Sequence, residues 1–277
     1  FIVGWRGEPG VHDEPQHIFQ GEVTIRLLED MGITVYVLDK TTTQADIKAQ
    51  MVRFRPLLDQ GKSVAFVVRK NALQYGEKVD YHNDFAMRRE EIIEHIARIA
   101  QRDIIVSTTG KASRELFEIR EREGESHQYD FLTVGSMGHS SSIALGIALN
   151  KPNTKIWCID GDGAALMHMG AMAVIGANKP ENLVHIVINN EAHETVGGMP
   201  TVGGHMDLVK IAEGCGYLHA LCVEDLQSLD TALAEAKKAS ELTFIEVKAA
   251  IGARSDLGRP TTTARENKES FMKYLKS

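Results

Sequence analysis

The sequence predicts an α/β protein with parallel sheets flanked by helices, in two related α/β domains. Three observations lead there. Short apolar, β-branched runs alternate with longer segments of helical period. An aperiodic stretch rich in charge and aromatics, Lys70–Asp84, divides that alternation into two series. Hydrophobic content of 43% and charged content of 25% are globular values, enough for a full core in 277 residues.

In the first series, Phe1-Ile2-Val3-Gly4-Trp5 reads as the end of a buried strand meeting a turn. A core strand at the very start implies that this domain is truncated on its N-terminal side. Ile18–Met31 is an amphipathic helix, Ile33–Leu38 a strand, Ala45–Leu58 a helix and Ser63–Val68 a strand. The boundaries are set at 1–75 for the first domain, 76–87 for the linker and 88–277 for the second domain.

The second series has helices at Arg88–Gln101, Ala112–Arg122, Ser140–Leu149, Ala165–Ala177, Met206–Cys215 and Leu226–Ser240. Its strands are Asp103–Ser107, Lys155–Ile159, Leu183–Ile188 and Thr243–Val247. Ligands of such folds bind at the carboxyl ends of strands, so the loops there are where chemistry is sought.

Net charge of −7 offers no basic field for nucleic acid or anionic membrane. No apolar run is long enough to span a bilayer. Arg88-Arg89 beside Glu90-Glu91 reads as a solvated helix face. Cys158, Cys215 and Cys222 lack a CxxC pattern and suggest free thiols in a cytoplasmic protein.

One strand runs into Asp160-Gly161-Asp162-Gly163-Ala164 and then a helix. Gly161 and Gly163 let backbone turn tightly and approach a ligand. A helix start favours an anion, and a carboxylate beside it makes sense if a divalent cation lies between Asp162 and a phosphate. The next strand ends in Asn189-Asn190-Glu191-Ala192, where an amide oxygen and a nearby carbonyl would complement Asp162 as hard ligands. Gly-Asp-Gly alone is usually only a turn. Here one helix and one strand separate it from the Asn-Asn strand end.

This combination resembles the diphosphate-binding signature of the thiamine diphosphate-dependent 2-oxoacid decarboxylases. The resemblance implies the thiamine diphosphate-binding fold, with thiamine diphosphate and Mg²⁺ as cofactors. It gives Asp162, Asn190 and the Ala192 carbonyl to the metal, and Gly161, Gly163, Ala164 and Thr195 to the cofactor. Ser107-Thr108-Thr109-Gly110 ends the first strand of the second domain, and the resemblance adds Thr108, Thr109 and Gly110 to the cofactor site. The alternative reading of those threonines is a helix cap and turn. Val134-Gly135-Ser136-Met137-Gly138-His139 matches too, with Gly135 and Ser136 at the cofactor and Met137 as the apolar wedge that bends it. A lone Met is otherwise ordinary core.

Finer detail resembles the branch of that family acting on 3-phosphonopyruvate. It lies in Gly4–Gly10, Asp13–His17, Thr133–His139 and Val196–Thr201. The implied activity is that of a carboxy-lyase of phosphonate biosynthesis, releasing CO₂ and phosphonoacetaldehyde. A sulfopyruvate branch is the nearest competitor. Arg6 is a candidate fork for the phosphonate, and His17 or His12 for proton transfer. Asp13-Glu14-Pro15 equally reads as a turn before a helix. His139 and His193 are further catalytic candidates, while His82, His95, His185 and His219 read as surface or packing residues.

The resemblance also implies an activating glutamate upstream of the Gly4 loop, and no residue here matches its motif. The expected assembly is therefore a homo-oligomer, dimeric or larger, or a pairing with a complementary chain. A non-catalytic cofactor-binding subunit stays open. A nucleotide-binding Rossmann protein is disfavoured, because neither half opens with Gly-x-Gly-x-x-Gly.

Overall fold

The run Leu-Val-His-Ile-Val-Ile-Asn at Leu183–Asn189 has no polar alternation, and it is buried along its whole length. Only a strand covered on both faces tolerates such a sequence. The computed structural model describes residues 1–77 and 79–277; Lys78, within the expected linker, lies outside the described residues. Internal contacts divide the chain into two units, Phe1–Val79 and Asp80–Ser277.

The first unit holds β1 (Ile2–Gly4), α1 (Ile18–Asp30), β2 (Thr34–Leu38), α2 (Gln44–Asp59) and β3 (Val64–Val68). The strands are parallel in the order β1-β3-β2. A capping box, in which Thr43 and Asp46 satisfy each other's backbone N–H groups, starts α2. The expectation of a buried first strand needs correction. β1 is an edge strand here and Ile2 is 76% exposed.

The second unit is built on six parallel strands in the order β10-β11-β7-β6-β4-β5. In chain order its elements are α3 (Arg89–Ala100), β4 (Ile104–Ser107), α4 (Lys111–Arg122), β5 (Asp130–Leu132), α5 (Ser140–Asn150) and β6 (Ile156–Gly161). There follow α6 (Asp162–Met167), α7 (Gly170–Asn178), β7 (Leu183–Asn189), and a short hairpin of β8 (Ala192–His193) and β9 (Met199–Pro200). α8 (Leu208–Cys215), β10 (His219–Val223), α9 (Leu226–Lys238), β11 (Thr243–Lys248) and α10 (Ala264–Lys276) complete it. One core, around Ile93, Leu116, Ile186 and Leu233, joins α3, α4 and α9 to one face of the sheet. Another, around Leu145, Ile175, Leu208 and Phe271, joins α5, α7, α8 and α10 to the opposite face.

Two helix expectations are revised. Ala165–Ala177 is broken into α6 and α7, because His168 leaves helical backbone at φ −131°. Gly138 packs against that break: a Cβ there would lie 2.6 Å from the Ala164 carbonyl oxygen and from the His168 ring. The helix expected from Met206 begins at Leu208, where the Asp207 side chain accepts the N–H of Lys210. No helix among the described residues is long and apolar enough to cross a membrane.

Candidate functional site

The sheet register brings the two motifs together. Gly161 pairs with Ile188, so Asp162 leaves β6 beside Asn189 and Asn190 as they leave β7. β4 lies on the other side of β6, with Ser107 opposite Ile159 and the Thr108 N–H donating to the Ile159 carbonyl at 2.8 Å. The strand order reverses between β4 and its neighbours, which is where α/β folds take ligands. A cleft opens there.

Asp162 forms its floor and is 2% exposed. Burial pushes its carboxyl above the ordinary range, against the opposing pull of the Thr201 hydroxyl and the Gly163 N–H. Thr201 is brought there by the β8–β9 hairpin. Its N–H donates to the Glu191 carbonyl at 2.8 Å, and its hydroxyl donates to Asp162 Oδ2. Gly203 N–H donates to Thr201 Oγ1 at 3.0 Å, and Asn189 Nδ2 donates to the Gly203 carbonyl at 3.2 Å. A Cβ at Gly203 would sit 2.7 Å from Asp162 Oδ2, so that position admits only glycine without displacing the carboxylate.

The donor set fits a hard divalent cation. Asp162 is a buried carboxylate, and among the described residues no Lys or Arg forms an ion pair with it. Asn190 and Ala192 line the same cleft, and each carries an oxygen of a type a hard cation accepts. Ala192 faces Pro200 across the hairpin next to the bonded pair Glu191–Thr201, a ladder position whose carbonyl points away from the partner strand. Glu191, held at φ +59°, makes the turn that presents Ala192 to the cleft. Carboxylate, amide and carbonyl oxygens are the ligand types Mg²⁺ accepts, with water and phosphate completing its octahedron.

The β4 side of the cleft carries Thr108, Thr109 and Met137. Thr108 Oγ1 is buried without a hydrogen-bond partner, an orphan donor available to a ligand oxygen. Thr109 Oγ1 instead accepts the Gly135 N–H at 3.1 Å, which ties the Gly135–Gly138 loop to the end of β4. Gly110 caps α4 at φ +92°, and a Cβ there would approach the Thr195 methyl to 2.9 Å. Gly161, Gly163, Ala164, His193 and Thr195 also line the cleft. A Cβ at Gly163 would lie 2.6 Å from the His193 ring, so that glycine makes room for the imidazole.

Other expected site residues lie outside the cleft wall. Ser136 adopts φ +45° beside Gly135 at φ +67°, shaping the turn that carries Met137. His139 is exposed; its Nδ1 meets the Ser136 carbonyl at 3.1 Å and its ring lies against His168. In the first unit, the Arg6 fork is occupied by Asp13, at 2.8 and 2.6 Å. Those hydrogen bonds hold the Asp13 carboxyl well below the ordinary range, helped by the Gly7 and Glu14 N–H groups. His17 is half-buried, with Nδ1 unpartnered. His185, read as a packing residue, is buried and bonded through Nδ1 to the Tyr217 hydroxyl at 3.0 Å.

Several residues of the site escaped sequence reasoning. Arg89 is not on a solvated face: its side chain is 9% exposed, forks onto Glu115 at 2.7 Å twice and reaches Glu194 at 2.6 Å. Lys111 joins Glu194 at 2.5 Å. Burial pushes the Glu194 carboxyl up, but Arg89 and Lys111 outweigh it and hold the group below its usual range. Asn83, in the stretch read as linker, donates to the carbonyls of Asn190 (3.0 Å) and Ala249 (2.9 Å), bracing the ends of β7 and β11.

Comparison with known proteins agrees with this geometry. Residues 108–247 match the family described as thiamine pyrophosphate enzyme, C-terminal TPP binding domain. A phosphonopyruvate decarboxylase of Streptomyces viridochromogenes is 33% identical over 99% of this chain and 72% of its own. The sulfopyruvate decarboxylase subunit beta of Methanocaldococcus jannaschii is 38% identical, over 52% of this chain and 73% of its own. In fold, a benzoylformate decarboxylase from Polynucleobacter necessarius superposes with a TM-score of 0.52 at 19% identity, over 67% of this chain and 37% of that one. The chain belongs to the thiamine pyrophosphate enzymes, and its second unit carries their cofactor-binding domain.

Proposed function

We propose that the chain is the cofactor-holding part of a thiamine diphosphate- and Mg²⁺-dependent carboxy-lyase that converts 3-phosphonopyruvate to phosphonoacetaldehyde and CO₂. The observation that carries this reading is the reach of the likeness. The phosphonopyruvate decarboxylase of S. viridochromogenes matches 99% of the chain and so spans both units, whereas the sulfopyruvate subunit of M. jannaschii matches 52%. Relative turnover tests it. With thiamine diphosphate and Mg²⁺, kcat/KM for 3-phosphonopyruvate is expected to exceed that for sulfopyruvate by at least about tenfold, equivalent to ~1.4 kcal/mol of preferential transition-state binding. Equal or reversed values point to the sulfonate.

Thiamine diphosphate, when bound, supplies the thiazolium carbon that makes loss of CO₂ from a 2-oxoacid feasible. The protein's own groups orient, neutralise and shield. Asp162, Asn190 and the Ala192 carbonyl would hold Mg²⁺. The backbone of Gly161–Ala164, the hydroxyl groups of Thr108 and Thr109, and Gly110 and Thr195 would hold the cofactor. Met137, carried on the Gly135–Ser136 turn, would act as the apolar wedge against the cofactor and help keep water from the cleft. Met137→Ala is therefore expected to leave thiamine diphosphate affinity nearly unchanged while slowing turnover by about tenfold or more, since only geometry at the reacting centre is lost. Unchanged turnover contradicts the wedge.

His193, against Gly163 on the cleft wall, and His139, exposed outside that wall, are the proton carriers in this reading. Arg6 and His17 belong to the first unit, which corresponds to the C-terminal part of the family's pyrimidine domain. Arg6 binds phosphonate once it exchanges Asp13 for it. The site is completed in a homo-oligomer or with a complementary chain. That the M. jannaschii relative is itself a subunit beta supports a divided arrangement. Three free cysteines fit a cytoplasmic location.

A further inference from the structure

An asparagine offers a cation one atom of two. Its amide oxygen serves and its nitrogen repels, so something must decide which way the amide faces. At Asn190, Nδ2 donates to Glu194 Oε2 at 3.1 Å, while Oδ1 accepts the N–H of Ala192 at 3.2 Å. An ionised carboxylate can only accept. It therefore draws the nitrogen of Asn190 to itself and turns the oxygen the other way.

Glu194 is itself held from two sides. Oε2 also accepts Arg89 Nη1 at 2.6 Å, and Oε1 accepts Lys111 Nζ at 2.5 Å. Arg89 has no freedom to follow, because its other two nitrogens grip the buried carboxylate of Glu115. The chain of restraint runs from α4 through α3 to the metal loop: Glu115, Arg89, Glu194, Asn190. With Lys111 counted in, charges balance, two cations against two carboxylates.

We propose that Glu194 is the positioning residue of the metal clamp, an anchored acceptor that presents the Asn190 oxygen to Mg²⁺. The proposal rests on the clamp reading above. Glutamate at this place has a task that glutamine cannot perform, since an amide presents Asn190 with either a donor or an acceptor. Supporting groups of this kind set metal affinity rather than chemistry.

The test is calorimetric titration of Mg²⁺ into the full chain at saturating thiamine diphosphate, with Glu194→Gln, Arg89→Lys and Asp162→Ala compared. Glu194→Gln is expected to weaken apparent Mg²⁺ affinity about 10–100-fold. At saturating Mg²⁺, kcat is expected to return to within about threefold of the parent, because the transition-state contacts are intact. Arg89→Lys keeps the charge but lacks the fork, and a severalfold loss is expected from it. It stands in should Glu194→Gln fail to fold. Mg²⁺ affinity within about twofold of the parent in the folded variants overturns the proposal. Asp162→Ala separates the two claims. If it abolishes Mg²⁺ dependence while the Glu194 and Arg89 variants do not alter it, the clamp stands and the positioning role fails. If Asp162→Ala changes nothing, the clamp itself is wrong.

Discussion

Asp162→Ala should abolish Mg²⁺-dependent binding of thiamine diphosphate, with an affinity loss above about 100-fold, beyond what outer-shell substitutions cost. The carboxylate is buried, so water cannot replace it as a counter-charge at the floor of the cleft. The change leaves Gly161 and Gly163 in place, and with them the turn. It also frees the Thr201 hydroxyl, whose partner at Asp162 is lost. Stability should change little or rise, because a desolvated carboxylate whose charged form is disfavoured by burial is removed. Calorimetry of thiamine diphosphate with and without Mg²⁺ reads the effect. An unaltered, Mg²⁺-dependent affinity sinks the assignment.

The second large effect is on folding and lies at the far end of the sheet. Arg120 is fully buried and forks onto Asp130, also fully buried, at 2.9 and 3.0 Å. Asp130 opens β5, so the pair sits at the amino ends of the strands, away from the cofactor cleft. Asp130→Ala would leave a buried guanidinium with, among the described residues, only the half-exposed Glu125 carboxylate at 2.5 Å. A cost of about 3–5 kcal/mol is expected, as for other buried pairs broken on one side. Urea unfolding measures it, and thiamine diphosphate affinity of the folded protein should be unaffected. A loss below about 1 kcal/mol would mean that water or Glu125 fully compensates.

Much of the architecture was legible because its signals are local. The apolar runs at β4, β6, β7 and β11 and the helical period of α1 to α5 can be read without tertiary knowledge. β5 and β10 were missed: one is three residues long, and His219–Val223 carries a polar start and only partial burial. The break between α6 and α7 was hidden because its cause is distant, at Gly138.

The site divides along the same line. Asp162, Asn190 and Met137 were named from short motifs, and all three line one cleft. Arg89, Lys111 and Glu194 were not found, since nothing in the local sequence links Arg89 to a partner 105 residues away. Beside Glu90-Glu91 the arginine pair looked like surface, and burial alone distinguishes Arg89. Thr201 lay within a block singled out by resemblance, but its contact with Asp162 exists only through the hairpin.

The most direct test of the clamp is a crystal of the protein grown with thiamine diphosphate and Mn²⁺ in place of Mg²⁺. Anomalous diffraction should place one Mn²⁺ in direct coordination with Asp162, the Asn190 side-chain oxygen and the Ala192 carbonyl, bridging to the diphosphate. A metal seated elsewhere, or cofactor phosphates lying away from the Gly161–Gly163 turn, would contradict the account.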